Sequence, residues 1–218
     1  MIWSNEFALE ILPVLLRGLW VTVQLTLLGF LISLVVGLVV AVVRFAKIPV
    51  LSQLCTLYVL FMRGTPLLVQ AYFAFYVLPA YGVTLSSFAT GVVVIGLNYS
   101  AYTAEVYRSG IEGVATGQWE AATALSLPPR STWNRVVLPQ AVRSVIPVLG
   151  NYLIQMFKDS AVLSAIGVID LMRAANTLGS SSFRYLEPFT LAGLLFLIIS
   201  YTASIGVKRL EHRYAPAH

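Results

Sequence analysis

The side chains able to do chemistry in this sequence are sparse, and their spacing excludes most enzymes. Each lysine follows a residue other than glycine: Lys47 after Ala46, Lys158 after Phe157 and Lys208 after Val207. The Gly-Lys-Ser/Thr element that cradles nucleotide phosphates is absent, so any ATP that drives this protein is hydrolysed by another chain. His212 and His218 stand beyond the last apolar run. Neither a Ser/His dyad nor a His-x-x-x-His zinc site can then form within the apolar segments. Cys55 is the one cysteine and lies in an apolar run, which excludes an intrachain disulfide and a cysteine-based zinc site. Asp159 and Asp170 have the chemistry of a carboxylate dyad, yet Lys158 beside one and Arg173 just after the other point to ion pairing.

A different kind of signal lies in a polar stretch, where Glu120-Ala121-Ala122-Thr123-Ala124-Leu125-Ser126 is followed by nine residues and then Val136-Val137-Leu138-Pro139. Gly117 is suited to cap a short helix, with Glu120 at its third position reaching back to free amides, and Pro128-Pro129 stops it. Ala121, Ala122 and Leu125 give this stub a small, mildly apolar face, with Trp119 and Glu120 at its start. Such a face suits a groove in another protein, or else packs on the stub's own bundle as an interfacial helix.

The elements that carry these residues must hide from water. Of 218 residues, 58% are hydrophobic and 11% charged, against about 25% charged in an ordinary soluble domain. Several apolar runs are long enough to cross a hydrocarbon layer, which takes about 20 residues of helix. The expected class is all-α, a polytopic membrane bundle of about five transmembrane helices with residues 1–218 as one domain. The predicted spans are residues 19–43, 50–78, 85–106, 141–157 and 189–207. Gly29 and Gly37 in the first permit close approach of a neighbour. The second reads as one long, irregular helix interrupted at Arg63-Gly64-Thr65-Pro66. That break must face the protein interior, because the carbonyls freed by Pro66 need partners. Tyr72, Phe73, Phe75 and Tyr76 after it suit packing and an interfacial belt, or a gate that stacks on solute. Residues 112–135 are too polar to span, and residues 160–188 hold a short surface or re-entrant helix.

Basic residues gather on one side: Arg44, Lys47, Arg108, Arg130, Arg135, Arg143, Lys208, Arg209 and Arg213. The positive-inside rule then puts the N-terminus outside and the C-terminus and central loop in the cytoplasm. The net charge of +5 is scattered at the edges of apolar runs, with no basic stripe, so nucleic acid is not an expected partner. Glu6 and Glu10 precede the first apolar run without a basic segment, so that run is expected to stay in the mature protein. No internal repeat is visible, which argues against a secondary transporter built from two similar halves. A pore needs a second copy or a homologous partner.

The loop spacing resembles the EAA loop of binding-protein-dependent ABC importer permeases: Glu-Ala-Ala, three residues, Gly, nine residues, Ile-x-Leu-Pro. Ser126 stands here at the Gly and Val136 at the Ile. Glycine permits a tight turn at that point, so Ser126 implies backbone strain or an altered turn. The resemblance covers roughly residues 14–210. Arg63-Gly64-Thr65-Pro66-Leu67-Leu68-Val69-Gln70, Ala104-Glu105-Val106-Tyr107-Arg108-Ser109-Gly110-Ile111 and Leu138-Pro139-Gln140-Ala141 look like the polar amino-acid branch. Lys158-Asp159-Ser160-Ala161 resembles that branch's Lys-Asp-Thr/Ser-Ser, with Ala161 lacking the last hydroxyl. Phe183-Arg184-Tyr185-Leu186-Glu187-Pro188-Phe189 and residues 3–12 look most like permeases for ectoine-type compatible solutes.

The resemblance implies a MetI-like type I importer in the bacterial cytoplasmic (inner) membrane. Its parts are two permease subunits, identical or homologous, two ATPase subunits that hold ATP and magnesium, and an extracytoplasmic solute-binding protein. This chain is expected to bind no cofactor or metal and to catalyse no reaction itself. Gly117, Glu120, Ala121, Ala122, Ser126, Leu138 and Pro139, in the loop at about residues 112–139, are the expected coupling residues. Glu120 either transmits force through charged hydrogen bonds or merely caps its own helix. Asn98, Gln155, Asp159 and Ser160 lie at the depth where a zwitterionic solute needs polar groups, unless they are spent on helix–helix hydrogen bonds. Arg63 is expected to pair with Glu105 across two helices. The rival readings are an ATP-independent channel or secondary transporter for small polar solutes, and a membrane scaffold or enzyme whose loop recruits a soluble partner.

Overall fold

A chain in hydrocarbon satisfies its backbone polar groups only within itself, and no strand forms among the described residues, 3–214 of the computed structural model, with side chains through His212. Helix α1 (Asn5–Phe45) is capped by Ser4, whose hydroxyl accepts the Phe7 N–H at 3.4 Å. At 1.5 Å per residue it is about 60 Å long, twice a hydrocarbon core of about 30 Å. The span predicted at residues 19–43 is therefore only its second half.

The predicted second span is not one helix. α2 (Leu51–Gly64) and the following segment Leu67–Tyr81, which opens with α3 (Leu67–Tyr72), meet at an angle of 106°. Pro66 lacks an N–H and pushes the residue before it out of the helical region, and Thr65 is extended, at φ −116° and ψ 142°. α3 continues as a wider π turn through Val77 and a tight turn through Tyr81, then reverses at Gly82 in the left-handed region (φ 83°).

α4 (Ser87–Glu112) is the interior helix. Thr90, Asn98, Ser100 and Thr103 are buried on it together with Ile95, Ala101 and Ala104. Its most extensive packing is against α1, where small residues let the backbones approach. A Cβ on Gly29 would meet Ile95 Cγ2 at 2.7 Å, and one on Gly37 would drive into the Thr103 hydroxyl. That hydroxyl donates to Ser33 O at 2.7 Å across the crossing. The close approach expected at Gly29 and Gly37 is the one found.

After α4 come the stub α5 (Thr116–Ala124), one turn α6 (Pro129–Ser131), a π turn (Thr132–Val137) and α7 (Leu138–Asp159). A tight helical segment (Ser160–Ile166) ends at Gly167, whose carbonyl accepts from Ser87 at the far end of α4. α8 (Leu171–Ser182) is the short helix expected in residues 160–188, and α9 (Leu186–Tyr214) closes the bundle. Asp170 caps α8, its Oδ1 accepting the Arg173 N–H at 2.8 Å. Pairing of Asp170 with the Arg173 side chain is replaced by this backbone contact. His212 falls inside α9 rather than beyond it, and His218 lies outside the described residues.

Among the described residues three segments are long and apolar enough to cross a membrane alone, Asn5–Phe45, Pro129–Ile166 and Leu186–His212, and the bent pair makes a fourth if counted as one span. α4 is long enough, at about 39 Å for its 26 residues, but owes its polarity to neighbours rather than to water. Replacing Gly37 by Leu overpacks the α1–α4 crossing and lowers the melting temperature in detergent by about 2–10 °C. Gly193→Leu, at a position whose Cβ meets nothing, leaves it unchanged; equal behaviour of the two would contradict the crossing.

Candidate functional site

The stub α5 sits at the end of the bundle where α1 finishes and α7 begins. Its N-cap is Ala115, with no side-chain cap. The capping expected of Gly117 is therefore absent, and Glu120 lies in the second turn, too far along to reach back to the first amides. Val114, Val137 and Ala141 form a buried cluster on which Trp119 and Trp133 pack, and Ala122, one turn after Trp119 on the same side of the stub, is 3% exposed. Of the face expected to be offered to a partner, Ala122 is thus turned inward, on the side where Trp119 meets Trp133 of the π turn. Gln118, exposed at the edge of the stub, accepts from Gln140 at 3.3 Å. The outer side carries Gly117, Glu120, Ala121, Ala124 and Leu125, all exposed, with Leu125 at 73%. A Cβ on Gly117 would meet nothing within 4 Å. Glu120 makes no hydrogen bond or ion pair among the described residues. Leu138 and Pro139 are exposed at the start of α7, next to the fully buried Val137.

The stub ends in a Schellman turn. Ser126 takes φ 52°, its N–H donates to Thr123 O at 2.9 Å, and Leu127 N–H donates to Ala122 O at 3.0 Å. These are the two bonds that normally accompany glycine in this position. Of the two outcomes expected from serine, backbone strain or an altered turn, the first is found: the backbone keeps the left-handed geometry that suits glycine and bears the strain.

The second polar centre lies where the α2–α3 break meets α4 and α7. Gln70 Nε2 donates to Met62 O at 3.0 Å and to Thr65 Oγ1 at 2.7 Å, with Thr65 O at 3.2 Å. Asn98 Nδ2 donates to the same Met62 carbonyl at 3.0 Å and to Gln70 Oε1 at 3.1 Å. Met62 O is the acceptor that Pro66 leaves without its helical donor. Asn98 is therefore spent on holding the break, the packing alternative, and Ser160 likewise donates to Phe157 O at 2.7 Å and is fully buried.

Asp159 instead accepts from the Tyr99 hydroxyl at 2.6 Å, so neither a carboxylate dyad nor pairing with Lys158 describes it. Tyr99 belongs to a triad with Tyr102 and Tyr152, with ring centroids 5.7–6.2 Å apart. Arg63 lies over Tyr102, its guanidinium carbon 5.3 Å from the ring centre. The cation and the carboxylate thus flank one aromatic cluster. Arg63 does not pair with Glu105, because α1 delivers Arg44 to Glu105 at 2.5 Å and Arg108 holds the other oxygen at 2.8 Å. Gln155 is exposed on α7. The tyrosines and Gln70 were not singled out as site residues from sequence, although Tyr99 and Tyr102 stand one helical turn apart on α4. In the gate candidate, Tyr76 contacts Tyr72 and Phe75 at 5.7 and 5.0 Å. The two segments of ectoine-like appearance meet in one corner, where Glu187 accepts the Ser4 N–H at 3.1 Å and Arg184 lies 4.9 Å from the Phe7 ring centre.

Residues 33–216 match the family described as the binding-protein-dependent transport system inner membrane component. The chain belongs to this family. It is 44% identical over 205 residues, 94% of this chain and 89% of the relative, to a probable amino-acid ABC transporter permease of Sinorhizobium fredii. Its identity to the L-cystine transport system permease of Bacillus subtilis is 37% over 202 residues, 92% of this chain and 86% of the other. Among solved structures, an amino acid ABC transporter crystallised with histidines superposes with a TM-score of 0.94 at 34% identity, covering 98% of this chain and 100% of that one. The inward-facing MetNI methionine ABC transporter, at TM-score 0.80 and 19% identity over 98% and 100% of the two chains, shares the fold. The chain is thus a multi-pass inner-membrane permease, and its helical bundle is of the MetI type.

In this permease, Ser126→Gly removes a left-handed penalty of about 1–2 kcal/mol, partly offset by added freedom of the unfolded chain. The variant is expected to melt about 2–4 °C higher in detergent, and Ser126→Val to melt lower. A destabilised glycine variant would contradict the assigned turn.

Proposed function

We propose that this permease is the membrane subunit of an ATP-driven, binding-protein-dependent importer for a polar amino acid or a related compatible solute of the ectoine type. The observation that carries the reading is the outer face of α5. Gly117, Ala121 and Ala124 form a smooth stripe beside the unpartnered Glu120, while the inner face is locked by Trp119 and Ala122. A helix anchored on one side and bare on the other suits a groove in a second protein. That protein is an ABC ATPase, two copies of which bind ATP and magnesium and do the hydrolysis that this chain does not. Glu120 meets it through charge-assisted hydrogen bonds, Ser126 ends the stub in its left-handed turn, and Leu138 and Pro139 stay exposed beside it at the start of α7. The α5 end is cytoplasmic and the N-terminus extracytoplasmic, as the distribution of arginine and lysine requires. A second permease, identical or homologous, completes the pore, and a solute-binding protein delivers the cargo from outside.

Amino-acid transport is supported by the relatives and by the second polar centre. A zwitterion needs a cation for its carboxylate and an anion or aromatic face for its ammonium group. Arg63, the tyrosine triad and Asp159 offer all of these in one cluster, with Gln155 exposed nearby on α7. Asn98 and Ser160 support this pathway by holding its walls. The ectoine-like corner at residues 183–189 is spent on tying the chain's opening to α9, so the finer solute assignment rests on resemblance.

The test is co-purification of the permease with its ATPase. Wild type retains the ATPase, Glu120→Ala loses about 10-fold in affinity or more, and Ala121→Arg, which fills the smooth stripe with a charged side chain, loses it altogether. Retention of the ATPase by Ala121→Arg would sink the docking face. In uptake assays Asp159→Asn raises the half-saturating solute concentration about 10-fold if it meets the ammonium group; unchanged uptake would remove Asp159 from the pathway.

A further inference from the structure

Between Val145 and Asp159 the exposed residues of α7 are Val148, Asn151, Gln155 and Lys158. At 3.6 residues per turn they fall within an arc of about 80°, so this part of α7 has one open face, and all of it but Val148 is polar. α9 differs: it opens Leu194, Leu197 and Ile198, as a helix in contact with lipid does. Packing gives the depth of the polar face. Phe157, beside Lys158, meets Phe196 with ring centroids 5.3 Å apart, near the middle of the apolar run at residues 189–207. At the other end Asn151 Nδ2 donates to Glu211 Oε1 at 3.3 Å, close to the basic Lys208 and Arg209. The face thus runs from mid-depth to the basic end of the bundle. Tyr152, on its border, joins it to the tyrosine triad.

The Lys158 ammonium makes no hydrogen bond or ion pair among the described residues, and the carboxylate next to it, Asp159, is taken by Tyr99. From the middle of a hydrocarbon layer about 30 Å thick, the four-carbon stem of a lysine reaches neither surface, and an unpaired charge there is costly. Hydrocarbon therefore does not cover this face. We infer that it is the inner wall of the solute route, wet from Lys158 to Asn151, and that Lys158 takes the solute's carboxylate as it leaves the tyrosine centre for the cytoplasm. The inference deepens the importer reading and rests on it. It adds a second cation to the site, since Arg63 lies over Tyr102 on the α2 side and Lys158 stands free on the α7 side. Gln155, one turn farther in, and then Asn151 carry amides able to donate to the same carboxylate. Selectivity follows, because a solute with an amino group and no carboxylate leaves Lys158 unpaired at mid-depth and is disfavoured.

The experiment uses the importer in liposomes with the α5 end outward, the binding protein enclosed and the native thiol removed by Cys55→Ala. Thiols introduced by Asn151→Cys and Gln155→Cys are expected to react with a charged, membrane-impermeant methanethiosulfonate at least about 10-fold faster than the one introduced by Leu197→Cys on the lipid side. Equally slow reaction at all three overturns the wet wall. Reaction that appears only after detergent separates the subunits gives the face to a second copy of this chain and overturns it as well. Uptake is then measured with whichever of radiolabelled L-glutamine, L-arginine, L-cystine and ectoine the wild type accumulates. At saturating solute, Lys158→Met is expected to lower the rate about 10-fold with the ATPase still bound, and Lys158→Arg to stay within about two-fold of wild type. The accumulated solute slows labelling at Gln155→Cys when Lys158 is present and not when Lys158→Met is added; equal protection in both takes the carboxylate away from Lys158. If wild type accumulates none of the four although Asn151→Cys and Gln155→Cys react, the importer reading is overturned while the wet face is upheld.

Discussion

Pro66 leaves the Met62 carbonyl without its helical donor, in a segment whose surroundings offer it little water, and much of the bundle's interior follows from how that carbonyl is satisfied. An unmet backbone group in such a place costs several kcal/mol. Gln70 and Asn98 both donate to it, and Asn98 donates to Gln70 Oε1 as well. The same contacts fix the segment that α3 opens at 106° to α2 and hold both against α4. Because Asn98 must be buried to do this, α4 occupies the interior. Its other polar residues are then within reach of neighbours, so that Thr103 bonds α1, Tyr58 reaches Leu97 O and Ser100, and Tyr99 reaches Asp159.

That arrangement also makes α4 the helix to which its neighbours are joined. α1 and α4 are joined by glycine contacts at one level and an ion pair at another. An ion pair of partly exposed side chains adds little stability by itself; its value here is geometric, since it fixes the end of a helix about 60 Å long. α7 is joined to α4 through the tyrosine rings at one level and by close packing at Gly110 at another, where a Cβ would drive into Val145 and meet the Ala141 carbonyl at 3.3 Å. α5 lies where α1 ends and α7 begins, held by Trp119 and Ala122 on one side and bare on the other. A force applied to its bare face has a short path to each.

Much of this was legible in the sequence where a single residue type dictates geometry. Pro66 demanded a break with interior partners, Gly29 and Gly37 demanded a close neighbour, and the Glu120-Ala121-Ala122 spacing marked the stub. What could not be read was direction. Nothing in Arg63-Gly64-Thr65-Pro66 states that the chain turns by 106° rather than bending within one helix. The choice of partner for Glu105 depended on α1 running unbroken to Phe45, which brings Arg44 to it and leaves Arg63 to Tyr102. The inward side of the stub is set where Trp119 meets Trp133, which belongs to a π turn that no local pattern announces. The helix start was misplaced for a similar reason: glycine at position 117 reads as a cap, but the helix begins at Thr116 without one. Ser126 shows the reverse case, in which the motif position was right and the backbone imposed glycine geometry on a serine.

The central claim is that this chain moves solute only when a separate ATPase pushes on α5. The most direct measurement is uptake of radiolabelled solute into liposomes containing the permease, its ATPase and the binding protein, with ATP supplied on the α5 side. The account predicts accumulation above the external concentration that requires ATP and the binding protein together, and no flux through the permease alone. Equilibration of solute across liposomes that contain only this chain, indifferent to ATP, would contradict it and make the protein a self-sufficient channel.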